Sequence, residues 1–179
     1  MKGVVFTEFV EMVEKKFGHD VADKLLSIPD LESNGVFTAI GTYSHHDMFK
    51  LVAGLSELTK ISVQDLFRAY GKTIFLTFTR MFPVFFKEVD DSLVFLEALE
   101  NRIHAEVKKL NPDAELPTFK TTRLSDNKLQ MIYISERRMS DFALGLMEGC
   151  SDYFNQNLEI QRHNLKSDGS EVKFEITRN

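Results

Sequence analysis

The sequence predicts an α+β domain, with helices first and an antiparallel sheet after them, on three observations. Apolar residues recur at intervals of three and four through the first two-thirds of the 179 residues. From Leu116 onward the pattern shifts to two pairs of strand-like segments, each pair joined by a turn-rich stretch. One further helical segment lies between the pairs.

Taken in order, Val5, Phe9, Val10 and Val13 mark an opening helix, and Val21, Leu25 and Leu26 a second one after a Gly-His-Asp break. Two more helices follow, Asp47 to Leu58 and Ser62 to Phe86, the latter rich in Phe and ended or kinked by Pro83. Asp90-Asp91-Ser92 offers helix-start residues before a single helix from Leu93 to Leu110, striped by Leu96, Leu99, Ile103, Val107 and Leu110. Asn111-Pro112 stops it. At about 100° per residue His104 falls on the flank of that stripe, next to a core it could reach into.

Thr118 to Leu124 and Lys128 to Ser135 read as strands joined by Ser125-Asp126-Asn127. A helix from Met139 to Phe154 precedes a second hairpin, Leu158 to Leu165 and Glu171 to Arg178, closed by Ser167-Asp168-Gly169-Ser170. No repeat, linker or low-complexity stretch interrupts the chain.

With 43% hydrophobic and 27% charged residues, the composition suits one globular domain that buries a core around a ligand. A net charge of -5 with mixed signs argues against a nucleic-acid interface, which needs Lys and Arg on one face. The amino terminus lacks the sections of a secretory signal, and no apolar run approaches the ~20 residues of a membrane helix, so a cytoplasmic protein without membrane partners is expected. Cys150 stands alone, which excludes an internal disulfide and a thiolate zinc cluster.

The most informative stretch is Tyr133-Ile134-Ser135-Glu136-Arg137. If extended, it sets Tyr133, Ser135 and Arg137 on one face over about 13 Å, two hydroxyls and a guanidinium suited to a ligand with two carboxylates. Taken alone it is far more often a strand with a solvated polar face, and a single His beside an apolar stripe is more often structural.

Together with the surrounding sequence these residues resemble the haem nitric oxide/oxygen binding (H-NOX) family, in its stand-alone bacterial type. The likeness spans essentially the whole chain: the opening Met-Lys-Gly, a helix His about a dozen residues before Pro117, Tyr-x-Ser-x-Arg, and Leu144-Gly145-Leu146-Met147-Glu148-Gly149. It implies a single haem-binding sensor domain over 1–179, with a helical part over about 1–60 and haem-cradling helices and sheet over about 61–179, the haem buried between them.

The resemblance further implies haem b held through His104 as the iron ligand, with its propionates on Tyr133, Ser135 and Arg137, and Pro117 pressing on the ring. A single protein ligand leaves one axial position open for a gas. Dioxygen-binding members supply a distal Tyr, Trp and Asn; the matching positions here are Phe142, Phe9 and Ile74, and with Val5, Phe78 and Leu146 they make an apolar pocket. Iron-bound dioxygen gains from a distal donor and nitric oxide does not need one, so nitric oxide selectivity is expected, with carbon monoxide as a second gaseous ligand. Tyr70 and Tyr153 are the remaining hydroxyls that could upset this.

The family mechanism implies that nitric oxide weakens the bond to His104, releasing the helix that carries it and shifting helices against sheet. The output then passes to a separate protein, in bacterial relatives often a histidine kinase or a cyclic-di-GMP enzyme. A dioxygen sensor of the same fold is the nearest alternative, and three further readings stay open. One is a non-haem module gripping another apolar acid. The second is an enzyme using Cys150 or His104, for which no nucleophile motif or phosphate loop is legible. The third is a metal site at His45-His46.

Overall fold

The computed structural model describes every residue from Met1 to Asn179 and contains seven α-helices and one four-stranded antiparallel sheet. Helices α1 (Val4–Phe17) and α2 (His19–Leu26) separate at Gly18, whose φ of 94° suits glycine alone. Helix α1 buries Phe6, Phe9, Met12 and Val13; of the four residues its spacing marked, Phe9 and Val13 are buried and Val5 and Val10 half-buried. Ser44 starts α3 (His45–Thr59) by accepting from the His46 N–H, and Ser62 starts α4 (Val63–Met81) by accepting from the Asp65 N–H at 3.1 Å.

Helix α4 ends at Met81, and a 3₁₀ turn, Pro83–Phe85, follows. The sequence pattern had carried this helix to Phe86. The proline ring excludes the helical conformation from the residue before it, so the helix closes earlier.

The expected single helix from Leu93 to Leu110 is three pieces: α5 (Ser92–Glu97), a π-helical turn at Leu99–His104, and α6 (Ala105–Leu110). Asp91 caps α5 by accepting from the Leu93 and Val94 N–H groups at 2.8 and 3.1 Å. A π turn hydrogen-bonds five residues back instead of four, which rotates everything after it about the axis. The apolar stripe therefore loses phase, and Leu110 ends 72% exposed instead of in the core.

Strands β1 (Thr118–Ser125), β2 (Lys128–Ile134), β3 (Leu158–Asn164) and β4 (Glu171–Arg178) lie in the order β1-β2-β4-β3, with α7 (Ser140–Tyr153) between β2 and β3 in sequence. Alternation puts Leu129, Met131 and Tyr133 of β2 inward, opposite Ile176, Phe174 and Val172 of β4. Two cores result. One gathers α1, α2, α3 and the first part of α4, including Phe6, Phe9, Leu51, Tyr70 and Ile74. The other joins the sheet to α5, α7 and Phe75, and Leu146 packs against both.

The cores meet where α4 crosses α7. A Cβ on Gly145 would overlap the Arg68 carbonyl oxygen, and one on Gly71 would overlap that of Phe142. The helices thus touch backbone to backbone, and Arg68 to Glu148 and Lys72 to Asp152 bridge the flanks at 2.9 and 2.8 Å. No helix is long and apolar enough to cross a membrane.

Cys150 sits fully buried on α7, its Sγ 3.9 Å from the Ser92 carbonyl oxygen, and burial pushes its thiol above the ordinary range. The nucleophile in thiol chemistry is the thiolate, so this cysteine is expected to ignore a thiol reagent such as dithionitrobenzoate until the fold is opened with denaturant. Stoichiometric labelling of the native chain would contradict that.

Candidate functional site

His104 closes the π-helical turn, with a side chain only 12% exposed. Its Nδ1 lies 3.0 Å from Glu100 Oε2, one helical turn earlier. A carboxylate only accepts, so Nδ1 carries the proton and Nε2 keeps its lone pair for another partner. Burial holds the ring's pKa below the usual histidine value, a shift that the Glu100 hydrogen bond only partly offsets. The result is a neutral, oriented imidazole.

The ring of Phe119 packs at 5.9 Å from that of His104 and at 5.7 Å from that of Tyr133. Pro117 is partly buried just ahead of β1, two residues before Phe119. Tyr133, at the end of β2, is 2% exposed, and its hydroxyl accepts from the Met139 N–H at 2.9 Å. Burial raises its pKa above the ordinary tyrosine value.

Ser135 and Arg137 do not continue the strand. The chain turns over Ser135 to Arg138, with the Arg138 N–H donating to the Ser135 carbonyl at 3.3 Å and Arg138 at a φ of 56°. The expected straight row of Tyr133, Ser135 and Arg137 is corrected accordingly. β2 loses its partner strands after Ile134 and must redirect into α7 within five residues. The turn still keeps Ser135 and Arg137 together, as Ser135 Oγ accepts from the Arg137 N–H at 3.2 Å. The Arg137 guanidinium holds the Glu115 carboxylate.

On the other side, Phe9 and Ile74 are fully buried in the first core, and Val5, Phe78, Phe142 and Leu146 pack against it half-buried. Tyr70 stands in their midst, its ring 5.2 Å from Phe9 and 5.4 Å from Phe142. Its hydroxyl donates to the Val5 carbonyl of α1, which commits the one hydroxyl proton it has. Tyr153 is elsewhere, 41% exposed among Phe75, Phe86 and Phe154.

Three polar partners were not singled out from sequence. Glu100 could have been, because a carboxylate four residues before a His on a helix lies on the same face. Glu115 on Arg137 and Glu8, which accepts from Thr77 at 2.7 Å, join residues 22 and 69 positions apart and leave no local mark. The rings of His45 and His46 lie 4.2 Å apart, but no group of three or more His, Cys, Asp or Glu is placed to hold a metal ion.

No curated protein sequence matches the chain. Solved structures do. Fe(II) unliganded H-NOX protein from K. algicida is 44% identical, with a TM-score of 0.96 over 100% of this chain and 97% of that one. H-NOX from Shewanella woodyi, bound to IWP-051 in the Fe(II)CO state, is 39% identical with a TM-score of 0.85 over 100% and 95%. An H-NOX protein from S. oneidensis in the Fe(II)NO state is 25% identical with a TM-score of 0.91 over 100% and 99%. The sequence profile of the Haem-NO-binding family matches residues 2–162, and with that span and these relatives the chain belongs to the Haem-NO-binding family.

Proposed function

We propose that this member of a haem-binding, gas-sensing family holds haem b through His104 and takes nitric oxide in preference to dioxygen. The observation that carries the reading is the imidazole of His104, buried, neutral and with only Nε2 left to bind a metal. A ferrous haem held there would supply an iron able to take a gas as ligand.

The residues present fit that group. Tyr133, Ser135 and Arg137 would hold its propionates, and Arg137 is already placed to take a carboxylate, since it holds that of Glu115. Pro117 would bear on the ring from the side of β1. Val5, Phe78, Phe142 and Leu146 offer half-exposed apolar surface at the junction of the two cores, which a planar apolar ring would cover. The domain is read as one sensor over 1–179, about 1–60 helical and about 61–179 forming the cradle.

Selectivity rests on the wall formed by Phe9, Ile74 and Phe142, none of which donates a hydrogen bond. The Tyr70 hydroxyl is committed to a hydrogen bond with the Val5 carbonyl, and Tyr153 lies exposed beside the other core, so neither of them restores a donor. Carbon monoxide, which needs no donor, is the second expected ligand, in keeping with the carbon monoxide state of the Shewanella woodyi relative. The chain acts as a cytoplasmic sensor, not as an enzyme, and its output is a separate histidine kinase or cyclic-di-GMP enzyme, as the family resemblance suggests.

A ferrous absorption spectrum with nitric oxide, and then in air, tests the reading. A haem Soret band, a nitrosyl complex and no lasting oxy complex are expected. Absence of the Soret band would point instead to a module for another apolar acid. Phe142→Tyr should create the missing donor and slow dioxygen release about 10-fold, the worth of a hydrogen bond of roughly 1 kcal/mol strengthened in a dry site. A release rate equal to that of the unaltered protein would refute the donor argument.

A further inference from the structure

We infer that Glu100 is a positioning residue for His104, a junction that fixes the imidazole's tautomer, strengthens Nε2 as a metal donor and ties the ring to strand β1. The inference rests on the reading that His104 holds haem iron.

The geometry is a single oxygen shared between two layers of the fold. Glu100 Oε2 accepts from His104 Nδ1 at 3.0 Å and from the Phe119 backbone N–H at 3.0 Å. One donor belongs to the helical rod and the other to the first residue but one of β1. The side chains of Glu100 and His104 are 24% and 12% exposed, so this pair is far better shielded than an ordinary surface pair at the same spacing.

Three consequences follow from the acceptor being a carboxylate held at both ends. The proton must sit on Nδ1, which leaves Nε2 as the only ring atom able to ligate. A charged acceptor on Nδ1–H raises the basicity of the opposite nitrogen, as outer-shell carboxylates do for metal-bound imidazoles. And because the Phe119 N–H holds the same oxygen, a displacement of His104 pulls on β1 at the residue paired with Tyr133. The π-helical turn between Leu99 and His104 sits within this junction; such turns are frequent at functional sites in helices.

The neighbouring Glu97 provides a comparison, since it too crosses from the rod to β1, through Arg123 at 2.8 and 3.0 Å, without touching His104. The test uses Glu100→Ala, Glu100→Gln and Glu97→Ala in the full chain. Nitrogen-15 NMR of the His104 ring without haem is expected to show the Nδ1–H tautomer in the unaltered protein and in Glu100→Gln, whose amide oxygen still accepts. Glu100→Ala should move it toward the Nε2–H form. In the ferrous haem complex, the iron–histidine stretching frequency from resonance Raman should fall in Glu100→Ala, fall less in Glu100→Gln and stay put in Glu97→Ala.

Haem transfer to an apo-globin acceptor should quicken about 10-fold in Glu100→Ala, the low end of what losing an outer-shell partner costs. An unchanged tautomer together with an unchanged stretching frequency in Glu100→Ala overturns the inference. If Glu100→Ala does not fold, Glu100→Gln decides: a stretching frequency equal to that of the unaltered protein overturns it and a lowered one supports it. Should the unaltered chain bind no haem, the haem reading itself fails, and the tautomer measurement then decides the role of Glu100 by itself.

Discussion

His104→Gly is expected to leave a chain that takes up no haem from solution and recovers the Soret band when free imidazole is supplied. The glycine removes the only ring placed to offer Nε2 from a buried position, and Glu100 and Phe119, which oriented it, remain to receive an added imidazole in the same place. The loss should exceed the 10–100-fold that removal of an outer-shell partner costs, because here the ligand itself is gone. Far-UV circular dichroism should match that of the unaltered protein. Haem uptake at the original level would move the ligand elsewhere, with His45 or His46 next to be replaced. With a partner kinase in the assay, the imidazole-loaded variant should show part of the nitric oxide response without gas, since its imidazole is no longer joined to the π-helical turn.

Gly145→Ala should destabilise the fold by about 3 kcal/mol, although the same exchange in an unobstructed helix gains roughly 1 kcal/mol. The added Cβ would overlap the Arg68 carbonyl oxygen and stand 2.9 Å from the Lys72 nitrogen. Both are main-chain atoms of α4, so no side-chain rotation relieves the clash and the helices must part. Gly71 and Gly149 are in the same position across this contact, with Gly149 facing Phe75 Cβ at 2.6 Å. Separation would also loosen the Arg68 and Lys72 bridges and displace Phe142 and Leu146, which α7 presents to the first core. For a domain of this size the midpoint of thermal unfolding should fall by about 6–12 °C. Gly169→Ala serves as the contrast, because nothing lies within 4 Å of that glycine and only its φ of 76° is strained, for a cost of about 1 kcal/mol. Equal melting of Gly145→Ala and the unaltered chain would show that α4 and α7 slide apart freely.

How much of the site was legible follows from how local each signal is. Helix α7 and the two hairpins are set by neighbours within a few residues, and the sequence pattern located their ends to within a residue; in α1 it marked Phe9 and Val13 of the buried face and missed Phe6 and Met12. His104 was marked as capable of facing inward for the same reason. The π-helical turn was not, because nothing in the composition of Leu99 to His104 announces an extra residue in the turn. Its Glu100 accepts from Phe119 of β1, a strand beginning 14 residues past His104. The straight Tyr-Ser-Arg row failed on similar grounds: alternation predicts an extended chain, whereas β2 runs out of partners at Ile134.

The amino-acid sequence by itself thus determined the fold class, the order of elements and the chemical types available to the site: one inward-capable imidazole, two hydroxyls and a guanidinium, and phenylalanine and isoleucine at the positions proposed for the distal wall. Tertiary structure alone decided which of those groups are already spoken for. Tyr70 commits its hydroxyl to the Val5 carbonyl across 65 residues, Arg137 meets Glu115 across 22, and Glu100 joins His104 to Phe119. The physical reason is that burial is dictated by periodicity along one segment, while a buried polar group must be satisfied by whatever partner the whole chain path brings within hydrogen-bonding distance.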